Sequence, residues 1–369
     1  MRVVVRGAVA GVVAAAAVGL AVTSGSASAE AGWTAEPVPP RPDTSSILTS
    51  AASGDGVTWA FGGWYTGWPI YSTQAYLRGA DGWTEQQTPD IGRPTSSAVL
   101  SRDNVWVIGQ EGKVGTGTSM HWDGKAWTEF PVAPVPPNHY QGVSRLGVAG
   151  ADVWAVGSLN QAGRASSGRG TAQRWDGKAW VEVVPPGPSE IWWTLTGIGG
   201  SGSEDVWAIG RAGEYGQGPG KPLAFHWDGK AWTEFPMPPV DGAANSQLML
   251  VDVHAAAPND VWAAGSVRDA DPNKPSKPVM FHWDGTQWSA VKLPVDAGEI
   301  NDLVRTGDTL WAIGAANPLR HNGTDWQAVD APQGGNLLAG TAIDGDKLLG
   351  VGYNGSTTRE QPFASVYSE

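Results

Sequence analysis

The residues of this chain best suited by type and spacing to chemistry are two aspartates, Asp252 and Asp302. Each precedes a tryptophan, Trp262 or Trp311, that marks a repeated unit, and alignment on those tryptophans puts both near the slot held elsewhere by Gly197. Carboxylates from adjacent units could meet there, as the acid and base of a glycan hydrolase or lyase do, or as ligands of a cation. The competing reading is a solvated or internally hydrogen-bonded pair, because a one-residue alignment error turns a strand residue to the opposite side.

Little else is arranged for catalysis. The chain has no cysteine, which excludes a thiol nucleophile. Its serines, histidines and aspartates carry no local signature of a nucleophilic triad. Residues 213–221 are glycine-rich, but Pro222 follows Lys221 and no glycine stands at the earlier position a phosphate loop requires. Asp269-Ala-Asp-Pro-Asn273 opens like a calcium loop, yet Lys274 replaces its sixth-position glycine and Met280 its closing glutamate. His121, His226 and His282 share a slot with Arg174 and Arg320, and equivalent positions around a ring cannot converge on one ion. No metal and no cofactor are expected.

Binding chemistry is better represented. Of 21 tryptophans, 17 occupy repeat positions, which leaves Trp64, Trp68, Trp192 and Trp193 as departures from the pattern. Trp64 and Trp68 lie with Tyr65 and Tyr71 in Gly63-Trp-Tyr-Thr-Gly-Trp-Pro-Ile-Tyr71; Trp192 and Trp193 lie in the connection between two units. Tyr140 and Tyr215 fall in comparable connections. Flat rings on loops stack against sugars or anchor a protein partner. Alternatively, they pack the loops against one another.

The elements that must position these groups are set by repetition. Asp205-Val-Trp-Ala-Ile-Gly210 has counterparts centred on residues 59, 106, 154, 262, 311 and 349, at steps of 47, 48, 53, 55, 49 and 38. Seven copies at that period signal a propeller or another repeat array. Within each unit, short apolar runs of period two end at Gly, Pro, Asp or Asn, which is strand patterning. Unit four shows four strands, over residues 194–199, 205–211, 222–227 and 230–236. Asp228-Gly229 reads as a two-residue hairpin turn that sets Phe225 opposite Trp232, and likewise Phe281 opposite Trp288.

The last unit lacks a fourth strand, and Trp33-Thr-Ala-Glu-Pro37 matches the fourth-strand phrase Trp232-Thr-Glu-Phe-Pro236. Residues 33–37 are therefore expected to complete the last sheet beside residues 363–367, closing a ring. The loop after each second strand and the loop leaving each fourth emerge on one side. These are the long connections, so that side is the expected binding face.

A glycine closing the second strand, a tryptophan opening the fourth and the Trp-Asp-Gly phrase between strands three and four resemble kelch-type propellers. The closer likeness is to secreted bacterial β-propellers with Trp-Asp-Gly repeats. The resemblance covers residues 30–369 and implies an all-β, seven-bladed propeller of four-stranded antiparallel blades. Some kelch-like propellers are copper-radical oxidases that need a tyrosine–cysteine crosslink, which this chain cannot form.

Residues 1–29 read as a secretory signal: Arg2 and Arg6, an apolar run over 7–22 and Ala27-Ser28-Ala29 before Glu30. The remainder keeps 22 of the 24 basic and all 36 acidic residues, a formal charge of −14. That balance argues against nucleic acid and anionic membranes as partners, and no membrane insertion is expected. Without disulfides, packing must hold an extracellular fold together. The expectation is a secreted, monomeric binding module for an extracellular glycan or protein, contacting it through Trp64, Tyr65, Trp68, Tyr71, Tyr140, Trp192, Trp193 and Tyr215. A hydrolase or lyase using Asp252 and Asp302 is the alternative.

Overall fold

The computed structural model describes residues 31–369, apart from residues 42, 68–69, 111–116, 164–167, 214–217, 244, 272, 295–297, 315 and 357–358 and the side chains of 66 and 70. The expected signal over residues 1–29, Trp68 and Tyr215 lie outside the described residues. No helix among the described residues is long and apolar enough to cross a membrane.

Blade 4 illustrates the unit. Its strands run in order from the inside out as Trp193–Gly202, Asp205–Ala212, Lys221–Trp227 and Trp232–Glu234. The second strand is apolar along nearly its whole length because neighbouring blades cover both of its faces, the pattern of a strand buried on two sides. Gly210 ends the apolar run for a steric reason. A Cβ there would lie 1.9 Å from the Thr194 carbonyl oxygen of the inner strand. The same collision, at 1.6 to 2.0 Å, awaits a side chain at Gly62, Gly157, Gly265, Gly314 and Gly352.

Seven such sheets form the propeller, all antiparallel and four-stranded. Each inner strand packs on the next, and the inner strand of blade 7, Asn336–Ile343, packs on that of blade 1, Ser46–Gly54. Gly32–Glu36 forms the outer strand of blade 7 by pairing with Gln361–Ser368, with Trp33 opposite Tyr367. The Trp33 ring meets Tyr367 edge-on at 5.4 Å, and its Nε1 donates to the Asp330 carbonyl at 2.8 Å. The terminal strand therefore closes the ring.

Stability is distributed over seven hydrophobic clusters, one between each pair of neighbouring blades. The second-strand tryptophan is the bolt. Trp207 inserts between Trp283 and Trp288 of blade 5, at 5.0 and 5.2 Å, and Trp154 packs on Trp227 and Trp232 of blade 4. At the closure seam Leu349 replaces that tryptophan and Arg78 replaces the ring before the hairpin. Glu36 then bridges the seam, accepting from Arg78 Nη2 at 2.7 Å and Trp83 Nε1 at 3.0 Å.

The third-to-fourth hairpin differs from the expected two-residue turn. Trp227 faces Trp232 and Phe225 faces Glu234; in blade 5, Trp283 faces Trp288 and Phe281 faces Ala290. The Asp228 carboxylate accepts N–H bonds from Lys230 and Ala231 at 2.9 and 2.8 Å, drawing four residues into the turn. Gly229 takes φ of 89°, where glycine alone is unstrained. Because register moved by two residues, the same side chains still face the core.

The shared third-strand slot is structural wherever it is occupied by histidine or arginine. His226 meets Asp205 at 2.8 Å and lies over Trp207, and Arg174 pairs with Asp152 at 3.1 Å beside Trp154.

Candidate functional site

The connections sort by length onto two faces. In blade 4 the inner-to-second turn is residues 203–204 and the third-to-outer turn 228–231, whereas the second-to-third connection spans 213–220 and the link to blade 5 spans 235–246. Since the latter two share a side, one face carries short turns and the other long loops.

The channel holds the acidic pair. Every inner strand contains a register break, and the residue just after it occupies one equivalent position: Ser50, Ser96, Arg145, Gly197, Asp252, Asp302 and Ala339. Asp252 and Asp302 thus do share a slot, and Arg145 of blade 3 reaches both. Its Nη2 lies 2.8 Å from Asp252 Oδ2 and also bonds Asp302 Oδ1; its Nε donates to Asp252 Oδ1 at 3.3 Å. The remaining acceptor capacity goes to backbone, with Leu303 N–H on Asp252 Oδ2 and Gly340 N–H on Asp302 Oδ2, each at 2.9 Å.

Both aspartates are only 8% exposed. Burial, together with the charge of Asp252, pushes the Asp302 carboxyl up to about 7 against the pull of Arg145. Burial works against the Arg145 cation too, but the two carboxylates outweigh it and raise its pKa. Chemically this is a brace. Each of the four carboxylate oxygens accepts at least one hydrogen bond from the protein.

The long-loop face holds the aromatic candidates. Blade 1 extends its second and third strands, Val57–Gly67 and Ile70–Gly79, so that Tyr65 and Tyr71 are cross-strand partners, edge-on at 5.7 Å. Alternation sends Trp64 to the opposite side, under the Arg41 guanidinium at 4.7 Å, while Arg93 of blade 2 lies over Tyr71 at 5.3 Å.

From there contacts continue around the ring. Arg93 is the cross-strand partner of Gln110, whose amide approaches Gly142, the partner of Ser158. Asn160, partner of Tyr140, donates to Ser158 Oγ at 2.8 Å and accepts from Trp192 Nε1 at 3.1 Å. Arg211 of blade 4 then lies over the Trp192 ring at 4.7 Å. Gln110, Ser158 and Arg211 are equivalent residues, each directly after the strand-closing glycine, so the two aromatic clusters are ends of one arc.

Trp193 turns the other way. It is 2% exposed, packs on Phe225 at 5.8 Å, and fits only because Gly170 and Gly187 carry no side chain where its ring lies. Its edge closes the floor of a groove of about 480 Å³ beside the arc, walled by Leu159, Arg169 and the connection from Val184 to Ile191.

Sequence reasoning missed Arg145, Arg93, Gln110, Asn160 and Arg211. The signal for Gln110 and Arg211 was the residue following each second-strand glycine. Arg145 stands nine residues before its tryptophan, the same spacing as Asp302, but as a cation it fell outside the acidic pattern; Asp252 stands ten before because an extra register break intervenes at Ala255/Ala257.

No protein-family profile matches the chain, and no curated protein matches it in sequence. Solved structures do match in fold. YCF48 bound to D1 peptide aligns at 16% identity with a TM-score of 0.54, over 91% of this chain and 95% of that one. A protein of unknown function from Dyadobacter fermentans DSM 18053 aligns at 12% and 0.51, over 89% and 96%. The β-propeller domain of the Trilobed protease from Pyrococcus furiosus aligns at 8% and 0.52, over 86% and 95%. At such identities the likeness is one of fold. The Pyrococcus domain is described as having an open velcro topology, whereas here an N-terminal strand pairs with the C-terminal one.

Proposed function

We propose that the protein is a secreted binding module that holds an extended glycan along the arc on its long-loop face, from blade 1 to blade 4. The observation that carries this reading is the succession of rings and polar side chains from Tyr65 and Tyr71 past Gln110, Ser158 and Asn160 to Trp192. Rings that stack and amides that donate and accept together suit the two surfaces of a sugar, its apolar face and its hydroxyl edge. Secretion rests on the leading segment, with Arg2 and Arg6 before an apolar run.

Titration against a neutral-glycan panel tests it. Removing the rings in Tyr71→Ala/Trp192→Ala should weaken binding by about tenfold or more, since each anchoring ring contributes on the order of 1 kcal/mol. Unchanged affinity removes the glycan reading. A peptide ligand is the second reading, supported by the groove beside the arc, where Val184 and Ile191 are 38% and 44% exposed. The YCF48 structure holds a peptide on a similar fold. In that case Ile191→Asp abolishes binding and the Tyr71→Ala/Trp192→Ala variant spares it.

A further inference from the structure

Among the described residues, two arginines on the arc have no carboxylate partner. Several basic side chains of this face are matched: Arg41 to Glu85, Arg169 to Glu182, Lys221 to Glu234, Arg268 to Glu299 and Lys274 to Asp269. Arg93 has only the Tyr71 ring, and among the described residues it makes no hydrogen bond or ion pair through its guanidinium. Arg211 is more telling. It is 6% exposed, and beyond the Trp192 ring its guanidinium makes one hydrogen bond among the described residues, Nη1 to the Gly213 carbonyl at 3.3 Å.

Such a group is costly to keep. Burying a cation without a counter-charge opposes folding, and burial lowers the pKa of Arg211 accordingly. A guanidinium offers five donors in a planar fork, and one bond leaves most of them unanswered. Scarcity is no explanation, since acidic residues outnumber basic ones by 36 to 24. Nor does the repeat require arginine, because the equivalent residues of blades 1, 2 and 3 are Gly63, Gln110 and Ser158.

We infer that the ligand of this face is an acidic polysaccharide whose carboxylates are received by Arg211 and Arg93. The inference rests on the glycan reading above and adds the sign and spacing of the ligand's charge. Each guanidinium lies over a ring, and its in-plane N–H groups suit the paired oxygens of a carboxylate. Neutral Gln110 and Ser158 lie between the two arginines, so the pattern fits charges repeated along a polymer better than a single anion.

The test compares α-1,4-linked tetragalacturonate with its methyl ester, which keeps the sugar rings and removes the charge. Calorimetric titration of the whole protein should show the acid binding at least about tenfold more tightly, with an advantage that shrinks as salt rises. Arg211→Gln should erase most of that advantage, with Trp192 indole NMR shifts reporting occupancy of the site by acid and ester alike. If Arg211→Gln fails to fold, Arg93→Gln, at a half-buried surface position, is expected to erase part of it. Equal binding of acid and ester overturns the charge inference while leaving the binding face standing. Acid binding that both arginine variants retain also overturns it, as does failure of the acid to bind at all. Only the neutral-glycan panel with Tyr71→Ala/Trp192→Ala bears on the face itself.

Discussion

Replacing Arg145 with methionine should destabilise the propeller more than any surface change, and should do so in a pH-dependent way. One guanidinium ties the inner strands of blades 3, 5 and 6, and the aspartates it holds bond the backbone of blades 6 and 7. Arg145→Met keeps the aliphatic stem and strands two carboxylates that are 8% exposed. Removing one partner from a buried ion pair costs about 3–5 kcal/mol, chiefly through the charge left behind. That loss is expected at pH 8.

At pH 5 the loss should fall to less than half. The folded-state pKa of Asp302, about 7, already lies above the ordinary carboxylate value, because burial disfavours the ion. A group raised in this way stabilises the fold fully below its unfolded pKa of about 4, and the contribution is lost as pH rises through the folded value. Without Arg145 the folded pKa climbs further, so the acid form relieves the variant over a wider range. Urea midpoints followed by tryptophan fluorescence at the two pH values measure this. Adding Asp302→Asn keeps an acceptor for the Gly340 N–H and deletes one charge, so it should restore stability at pH 8 and add little at pH 5. A loss below about 1 kcal/mol at pH 8, or equal losses at both pH values, refutes the reasoning.

Three further outcomes follow from the scaffold. Trp207→Ala empties the bolt between blades 4 and 5 and should cost about 3–5 kcal/mol in chemical denaturation. Gly210→Ala drives a methyl into the Thr194 carbonyl and should cost about 1–3 kcal/mol or more, whereas Gly202→Ala, with nothing within 4 Å, should change the melting profile little. Deleting residues 32–36 bares the edge of Gln361–Ser368 and the Arg78 side chain, and size-exclusion chromatography should then show association through that edge.

The fold was legible because the repeat states its own geometry. Seven copies of one phrase specify seven blades, and the match of Trp33-Thr-Ala-Glu-Pro37 to the fourth-strand phrase located the closing strand. Loop lengths sorted the connections onto two sides. Side-chain acceptors and backbone bulges were the illegible part. Nothing in Asp228-Gly229 announces that the aspartate will cap two more N–H groups and widen the turn. Trp192 and Trp193 are adjacent and identical in type; only the small glycines at 170 and 187, distant in sequence, decide that Trp193 is the one buried. The acidic slot was visible at two blades and invisible at the third, so Asp252 and Asp302 read as a pair lacking the arginine that occupies them.

Equivalent positions also explain why recognition can occupy one part of a pseudo-symmetric ring. The residue after the strand-closing glycine is the first to leave the interblade core, so its identity is free of the packing that fixes the tryptophan and the glycine before it. In blades 2 and 3 that residue, Gln110 or Ser158, reaches the surface. In blade 5 it is Ser266, fully buried, its hydroxyl accepting the Ile300 N–H at 3.0 Å. The same slot thus seals blade 5 to blade 6 and stands open over blades 2 and 3. An elongated ligand of the kind proposed would find its track over blades 2 and 3, between Arg93 and Arg211.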